Sequence, residues 1–324
     1  MAHQVWGRDP DDIGTRARRK QLPISQKASQ QWLARLDAVC SARDACPPTC
    51  FVSLGDREAE VYDLLATPRP GGVERLMRAS WDRCVSAPQR SGWATVEAQP
   101  VVEQRRLQVP RRGAQPAREA PRALRFCRLT RCPPRQRKAE GLPAVTLWAV
   151  QVRDVEPPAE GPPIAWLLLT TVAVDCAEDA RERVQWSSCR WGIEGWQRIL
   201  TRGCRLDARQ VATDERWERG VTLSSVMAWR VCYALMLARA VPEMPGDVRL
   251  AIEEWQALYG AIHHCPTPPD RPPSLGEAVR WMAQLGGFVG RRHRDQPGAE
   301  TLWRGFQHLT DLTRMYRIMR SAPP

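Results

Sequence analysis

The distribution of proline constrains this 324-residue chain more than any other feature of its sequence. Twelve of the 28 prolines fall within residues 85–163. Proline lacks an amide hydrogen and clashes with the preceding helical turn, so long helices are excluded from this segment. Its short apolar runs, at 107–109, 123–126 and 145–152, are typical of strands joined by turns. We therefore predict a β-rich middle segment between two regions in which helices are allowed.

Before this segment, a predicted strand ends in a carboxylate. Residues 51–54 are apolar, and Asp56 stands where the strand gives way to a helix predicted at 57–65. A carboxylate in this place is a candidate metal ligand, and it is also a candidate N-cap of the helix that follows. A helix at 26–39 and a second strand at 75–80 complete the predicted elements of this region.

After the middle segment, the sequence predicts a strand at 164–171 and one long helix at 177–201. Four positions on that helix step by 3, 4 and 7 residues, which at about 100° per residue places them within roughly 60° of one face. These positions hold Ser187, Arg190, Glu194 and Thr201. Glu194 is therefore a second candidate ligand, and the alternative is an ion pair one helical turn away with Arg190 or Arg198.

From residue 218 onwards the sequence reads as largely helical. Helices are predicted at 218–240 and 248–262, and the pattern Ser274-x2-Glu277 indicates a capping box that opens another. The last helix carries a single apolar stripe, formed by Leu302, Phe306, Leu309 and Leu312. We expect a short terminal region to bury this stripe only partly within one chain, which favours pairing of two chains.

The strand that ends in Asp56 and the segment that bears Glu194 resemble the DDE transposases of the insertion sequence four family, the transposon-five-like enzymes. Members of that family carry Tyr-x2-Arg-x3-Glu-x6-Lys on one helix. Arg190 and Glu194 stand in register with it, whereas Ser187 replaces the tyrosine and Thr201 the lysine. Further family-like stretches lie along nearly the whole chain, at 4–8, 23–33, 76–83, 164–171, 285–288 and 301–305.

The resemblance implies an α/β fold. The expected architecture is a partial ribonuclease-H-like core, lacking its initial strands, that is interrupted by a mostly β insertion and followed by helices that pair two subunits. The corresponding segments are the first part of the core at 1–84, the basic proline-rich insertion at 85–163, the second part of the core at 164–240 and the dimerisation region at 241–324. For 111–121 within the insertion, a disordered basic linker is the alternative.

The resemblance also implies the site. Asp56 and Glu194 match catalytic and metal-binding carboxylates, which in the family hold two Mg2+ or Mn2+ ions about 4 Å apart. The residues that match DNA-binding positions are Arg78, Arg83, Trp166, Arg190, Arg198 and Arg202. Trp166 precedes Ser187 by the interval that separates a base-stacking tryptophan from the signature tyrosine, and a plain core tryptophan is the alternative. For the arginines the alternative is a solvated basic helix face.

In the family, a first catalytic aspartate precedes the segment that corresponds to residues 5–8. The resemblance therefore implies two of the three carboxylates in this chain, and we expect a protein of DNA transposition that is defective in strand cleavage and joining. Two alternatives are kept. The first is a non-catalytic, dimerising inhibitor of a full-length transposase, and the second is a fragment whose true start lies upstream.

Charge agrees with a nucleic-acid partner. The net charge is +12, and residues 85–163 contribute +7 of it through 13 arginines and one lysine against seven acidic residues. Such a charge favours transposon-end DNA as the partner. The dominance of arginine that a GC-rich genome produces explains the charge equally well. The 11 cysteines form no C-x2-C pair, and His263-His264-Cys265 reads as a loop rather than a zinc site.

The sequence also bears on location. The apolar run at 164–169 is far shorter than the ~20 residues that span a bilayer, and the N-terminus lacks a basic-then-apolar signal pattern. We therefore expect a cytoplasmic, nucleoid-associated bacterial protein with no membrane partner, which forms a homodimer or a heterodimer with a full-length transposase.

Overall fold

The computed structural model describes residues 30–109, 118–157, 163–190, 192–208, 213–290 and 297–321. These residues fall into two compact units. The sheet unit comprises the described residues up to Arg190, and the helical unit comprises those from Gly192 onwards. The chain is therefore a mixed α/β protein with a helical C-terminal part.

The sheet unit is built on one six-stranded sheet. Its strands, in chain order, are β1 (Phe51–Gly55), β2 (Val73–Arg78), β3 (Glu103–Val109), β4 (Arg118–Arg131), β5 (Val145–Asp154) and β6 (Ala165–Thr170). In space they follow the order β1-β2-β6-β5-β4-β3. β1 and β2 are parallel, and the other neighbouring strands are antiparallel. The strands predicted on both sides of the middle segment are confirmed, with ends shifted by one or two residues.

Helices pack on both faces of this sheet. They are α1 (Gln30–Ala45), α2 (Tyr62–Ala66), α3 (Gly92–Glu97) and α4 (Ala177–Cys189). Because side chains alternate along a strand, β6 serves both layers. Leu167 and Leu169 belong to the apolar cluster that includes Leu36 of α1, whereas Leu168 packs in the cluster that includes Ala180 of α4. We call the second side of the sheet the α4 face.

The middle segment contributes strands to this same sheet. The predicted runs at 107–109, 123–126 and 145–152 lie within β3, β4 and β5, and the helix α3 spans only six residues, as the prolines require. β5 pairs with β6 along six registered residue pairs, so the segment is joined to the strands around it by backbone hydrogen bonds. Of the alternative linker at 111–121, residues 111–117 lie outside the described residues, and 118–121 belong to β4.

The helix predicted at 57–65 is wrong in detail. A single 3₁₀ turn, Arg57–Ala59, follows Asp56, and α2 begins only at Tyr62. Val61 lies between them in extended backbone, with φ −99° and ψ 132°. Two short turns therefore replace one helix, because the extended residue interrupts the helical hydrogen-bond ladder.

The single long helix predicted at 177–201 is also wrong. α4 ends at Cys189, Arg190 is its C-cap residue, α5 runs from Gly192 to Arg198, and a π-helical segment covers Ile199–Gly203. Gly192 and Gly195 lower the helix propensity of this stretch by about 1 kcal/mol each relative to alanine. The four signature positions consequently do not share one face of one regular helix, since a π turn also changes the number of residues per turn.

The helical unit continues from α5 with four longer helices. These are α6 (Asp214–Ala240), α7 (Ile252–His263), α8 (Leu275–Leu285) and α9 (Ala299–Ser321). Their core is one apolar cluster that includes Val231, Leu258, Met282 and Leu302. The predicted capping box is confirmed: Ser274 Oγ accepts a hydrogen bond from the Glu277 amide, and the Glu277 carboxylate accepts one from the Ser274 amide at 3.0 Å.

The expectation that the stripe of α9 stays partly exposed is wrong for most of its length. Leu302, Phe306 and Leu309 are buried in the apolar cluster of the helical unit, and Leu312 is half-buried. The periodic pattern identified the buried face of the helix correctly. Helices α6, α7 and α8 of the same chain contact α9 and provide much of the cover that the sequence did not reveal.

Two glycines let α8 and α9 approach at the level of the backbone. A Cβ atom on Gly305 would overlap the carbonyl oxygen of Met282, and one on Gly286 would overlap the carbonyl oxygen of Thr301. Any side chain at either position therefore requires the two helices to move apart.

One described helix, Glu215–Ala240 within α6, has the length and apolar composition of a membrane-crossing segment, and 33% of its most apolar window is buried in the chain. Length and composition alone do not separate such a segment from a core helix. Its inner side carries Ala228, Val231 and Ala234 into the apolar cluster of the helical unit.

Candidate nucleic-acid interface

Asp56 lies at the carboxyl end of β1 and caps the turn that follows. Its Oδ1 accepts a hydrogen bond from the amide of Glu58 at 2.9 Å, with Asp56 in extended backbone. The capping role of Asp56 is therefore confirmed. Its role as a metal ligand stays a prediction.

Arg78 lies at the same end of the sheet, because β1 and β2 run parallel and Gly55 is registered with Met77. Burial of its guanidinium lowers the pKa of Arg78 to about 10, and the positive charges of Arg57 and Arg190 add to this effect. Three arginines therefore gather near the carboxyl ends of β1 and β2. A cluster of like charges gains stability when it binds an anion.

Trp166 of β6 lies beside Arg78. The Arg78 guanidinium carbon is 5.3 Å from the centre of the indole ring, and the Arg122 guanidinium carbon is 5.7 Å from it. Both distances fall within the range of cation–π contacts. Trp166 is half-buried and also packs against the apolar cluster of the α4 face. It is thus a core side chain on one side and a partner of two arginines on the other.

Arg83 is held by a buried carboxylate that the sequence analysis did not single out. Glu60 Oε1 accepts a hydrogen bond from Arg83 Nε at 3.2 Å and forms an ion pair with Arg131 at 3.3 Å. Glu60 Oε2 accepts hydrogen bonds from the amides of Ser80 and Trp81 at 2.6 and 3.2 Å. The only sequence signal for Glu60 is its place four residues after Asp56, which does not predict burial.

The other predicted residues belong to the helical unit. Glu194 and Arg198 lie on α5, and Arg202 lies in the π-helical segment, where its Nη1 is 3.3 Å from Glu300 Oε1 of α9. Thr201, at the signature lysine position, donates its hydroxyl to the carbonyl of Gln197 at 3.0 Å. Asp56, Arg78, Arg83, Trp166 and Arg190 belong to the sheet unit.

The residues around Asp56 do not fit a two-metal centre. Such a centre gathers several carboxylates around the ions. Within the described parts of the chain, no group of three or more acidic, histidine or cysteine side chains is placed to hold a metal. The nearby acid Glu60 is committed to Arg83 and Arg131 instead. The three arginines add positive charge, which disfavours the binding of metal cations at this end of the sheet.

Residues 226–323 match the family model described as the transposase Tn5 dimerisation domain. The match covers just under a third of the chain, from Val226 within α6 to beyond the end of α9. It supports a Tn5-like transposase family for this chain, and it supports formation of a homodimer.

Proposed function

We propose that this chain is a transposase-family protein of the insertion sequence four type that binds DNA with the sheet unit and pairs with a second subunit through the helical unit. The dimerisation-domain match supports the family and the pairing. The sequence resemblance around Asp56, Arg190 and Glu194 supports the DDE assignment. In this proposal the six-stranded sheet is a partial ribonuclease-H-like core with its β insertion.

The arrangement of Arg57, Arg78, Arg190 and Trp166 carries the DNA-binding part of this proposal. Guanidinium groups bind phosphate with two parallel hydrogen bonds, and an indole ring stacks on a nucleobase. Both kinds of group meet at Arg78, because its guanidinium lies near two other cations and against the Trp166 ring. A DNA phosphate placed here relieves the repulsion from Arg57 and Arg190, which adds to the effect of burial in lowering the Arg78 pKa.

Strand cleavage is not part of the proposed activity. Asp56 is engaged as an N-cap, and its surroundings are rich in positive charge. In the family the bound Mg2+ or Mn2+ activates the attacking oxygen and stabilises the leaving oxygen. The described residues support DNA positioning by arginine and tryptophan. The alternative kept from the sequence is that a dimerising, DNA-binding protein without cleavage activity inhibits a full-length transposase.

DNA binding is tested by titrating the full chain with duplex DNA at several salt concentrations. Arg78→Met keeps much of the apolar stem of Arg78 and removes its charge. We expect affinity to fall about tenfold and the salt slope to fall by about one, because one phosphate contact is lost. Arg35→Met is the matched control, since Arg35 also stacks on a tryptophan, Trp32, but lies on α1 over the opposite face. Equal affinities for both variants would refute the assignment.

Strand cleavage is tested with transposon-end DNA and Mg2+ or Mn2+. We expect no specific nicks with this chain. Nicks that disappear in Glu194→Gln would overturn this part of the proposal. DNA binding is scored separately in the same samples, so that loss of binding and loss of chemistry are distinguished.

A further inference from the structure

The outer side of α6 carries a stripe of exposed apolar side chains, which we call the α6 stripe. Its members are Leu223, Val226, Trp229, Tyr233 and Met236, and they are exposed by 36% to 71% with the rest of the described chain in place. Their spacing of 3, 3, 4 and 3 residues keeps them on one side of the helix. The opposite side of α6 is buried, so this helix is apolar on both sides.

The centre of the α6 stripe is an aromatic stack. The rings of Trp229 and Tyr233 lie 4.9 Å apart and are nearly parallel, with 9° between their planes. The guanidinium carbon of Arg249 lies 4.6 Å from the Tyr233 ring centre and 5.6 Å from that of Trp229. Tryptophan, tyrosine and arginine are the residue types that most often dominate the energy of protein interfaces.

The order of residues in the α6 stripe is self-complementary. Leu223 lies six residues before Trp229 and Met236 seven after it, while Val226 lies three before and Tyr233 four after. A two-fold axis beside Trp229 therefore brings Leu223 of one chain opposite Met236 of an antiparallel copy, and Val226 opposite Tyr233. Symmetric dimers require a surface that matches itself in this way.

We propose that the α6 stripe is a dimer interface, occupied by the α6 stripe of a second copy of this chain in antiparallel orientation. The occupant is a second copy because the family match that supports homodimer formation, at residues 226–323, includes four of the five stripe residues. Stable dimers bury about 800 Å² per partner, and five side chains of this size supply a substantial part of that area. This inference rests on the homodimer of the proposed function and names the surface that forms it.

The test measures the mass of the full chain by sedimentation equilibrium across a concentration series. We expect the double variant Leu223→Glu/Met236→Glu to weaken self-association at least tenfold, because it places four carboxylates in a desolvated contact. The matched control is Ile252→Glu/Val289→Glu, which changes two exposed apolar residues of the same unit outside the stripe and is expected to leave the mass unchanged. Circular dichroism confirms that each variant is folded.

A charge exchange tests the antiparallel register itself. Val226→Lys and Tyr233→Glu are each expected to weaken self-association, whereas an equal mixture of the two variants is expected to associate more tightly than either alone. The mixture places the new lysine opposite the new glutamate. Folding of the stripe variants is not at issue here, because both positions are exposed.

Every other outcome overturns the proposal. A dimer that persists in Leu223→Glu/Met236→Glu uses a different surface, which leaves the homodimer of the proposed function intact. A wild-type chain that is monomeric at every concentration removes both. Phosphatidylcholine vesicles and duplex DNA are tested in parallel with the same double variant. Loss of binding to either of them, with no change in mass, assigns the stripe to a membrane or to nucleic acid.

Discussion

In the sheet unit the buried side chains include Glu60, Arg75 and Arg131, whereas the buried polar side chains of the helical unit are the uncharged Ser224, Ser225 and Thr313. Among the described residues, every buried charged side chain belongs to the sheet unit. The two units also differ at the surface. The sheet unit carries the arginine cluster around Arg78, and the helical unit carries the exposed apolar α6 stripe.

The comparison shows two ways of fixing a structure. Buried charges need partners at set distances, so Arg75 donates to the carbonyls of Leu65 and Thr67 and thereby holds α2 against β2. Burial lowers the pKa of Arg75 to about 10, which leaves it charged near neutral pH. Apolar packing does not require particular directions, and its contribution to stability depends on how completely the interior is filled. The surfaces of the two units differ in the same way. The arginine cluster of the sheet unit suits an anionic partner, and the α6 stripe of the helical unit suits a second apolar face.

The largest effect should come from breaking the charge network of the sheet unit. Glu60→Gln leaves the buried guanidinium of Arg131 without its counter-charge, and we expect the free energy of unfolding to fall by about 3–5 kcal/mol. Denaturant unfolding measures it. The control is Glu140→Gln, which removes an exposed carboxylate that pairs with Arg137 and should therefore have a far smaller effect. A similar small effect at both positions would mean that the network does not fix the unit.

A somewhat smaller effect is expected from opening a cavity in the helical unit. Leu309→Ala removes a side chain that is 1% exposed, and we expect a loss of about 3 kcal/mol because the transfer and cavity terms add. The matched change on the same helix is Met319→Ala, where the side chain is 73% exposed and the effect should stay within about 0.5 kcal/mol. If both variants unfold at the same denaturant concentration, α9 is not packed as described.

The smallest effect sharpens the comparison, since it concerns a charge in the helical unit that is not buried. Hydrogen bonds from the side chain and amide of Ser274 lower the pKa of Glu277 below its ordinary 4.5. The ionised carboxylate therefore stabilises the folded state above pH 4.5, and this contribution is lost as the pH falls through the lowered pKa. Ser274→Ala should cost about 1 kcal/mol near neutral pH, with a smaller cost in acid.

The control for this last effect is Ser321→Ala, which removes a hydroxyl bonded only to backbone carbonyls near the end of α9. We expect its small effect to be the same across the pH range. A cost of Ser274→Ala that stays constant down to pH 3 would show that the Glu277 carboxylate does not contribute through its charge.

Local patterns in the sequence predicted local structure well. The capping box at Ser274 is visible in four residues, and its geometry depends on those residues alone. The strand before Asp56 and the stripe of α9 likewise follow from periodicity. Periodicity identifies which side of a helix is apolar, but it does not say what covers that side. The burial of Phe306 and Leu309 by neighbouring helices of the same chain was therefore missed.

Features that depend on distant residues were not predictable. The joining of β5 to β6 in one sheet depends on pairing between separated segments, and no local pattern encodes that choice. The commitment of Glu60 to Arg83 and Arg131 joins residues up to 71 positions apart in the same way. For the site, resemblance supplied Arg78 and Trp166, whereas their stacking and the repulsion from Arg57 and Arg190 came only from the fold.

The crossing of α8 and α9 gives the family-like stretches at 285–288 and 301–305 a common origin. Gly286 lies in the first and Gly305 in the second, and each glycine meets backbone of the opposite helix, so the two stretches are the halves of one contact. What they specify is an absence of side chains. In any relative with this crossing, a larger residue at either glycine requires the backbone that faces it to shift. We therefore expect the two distant stretches to be retained together or to change together.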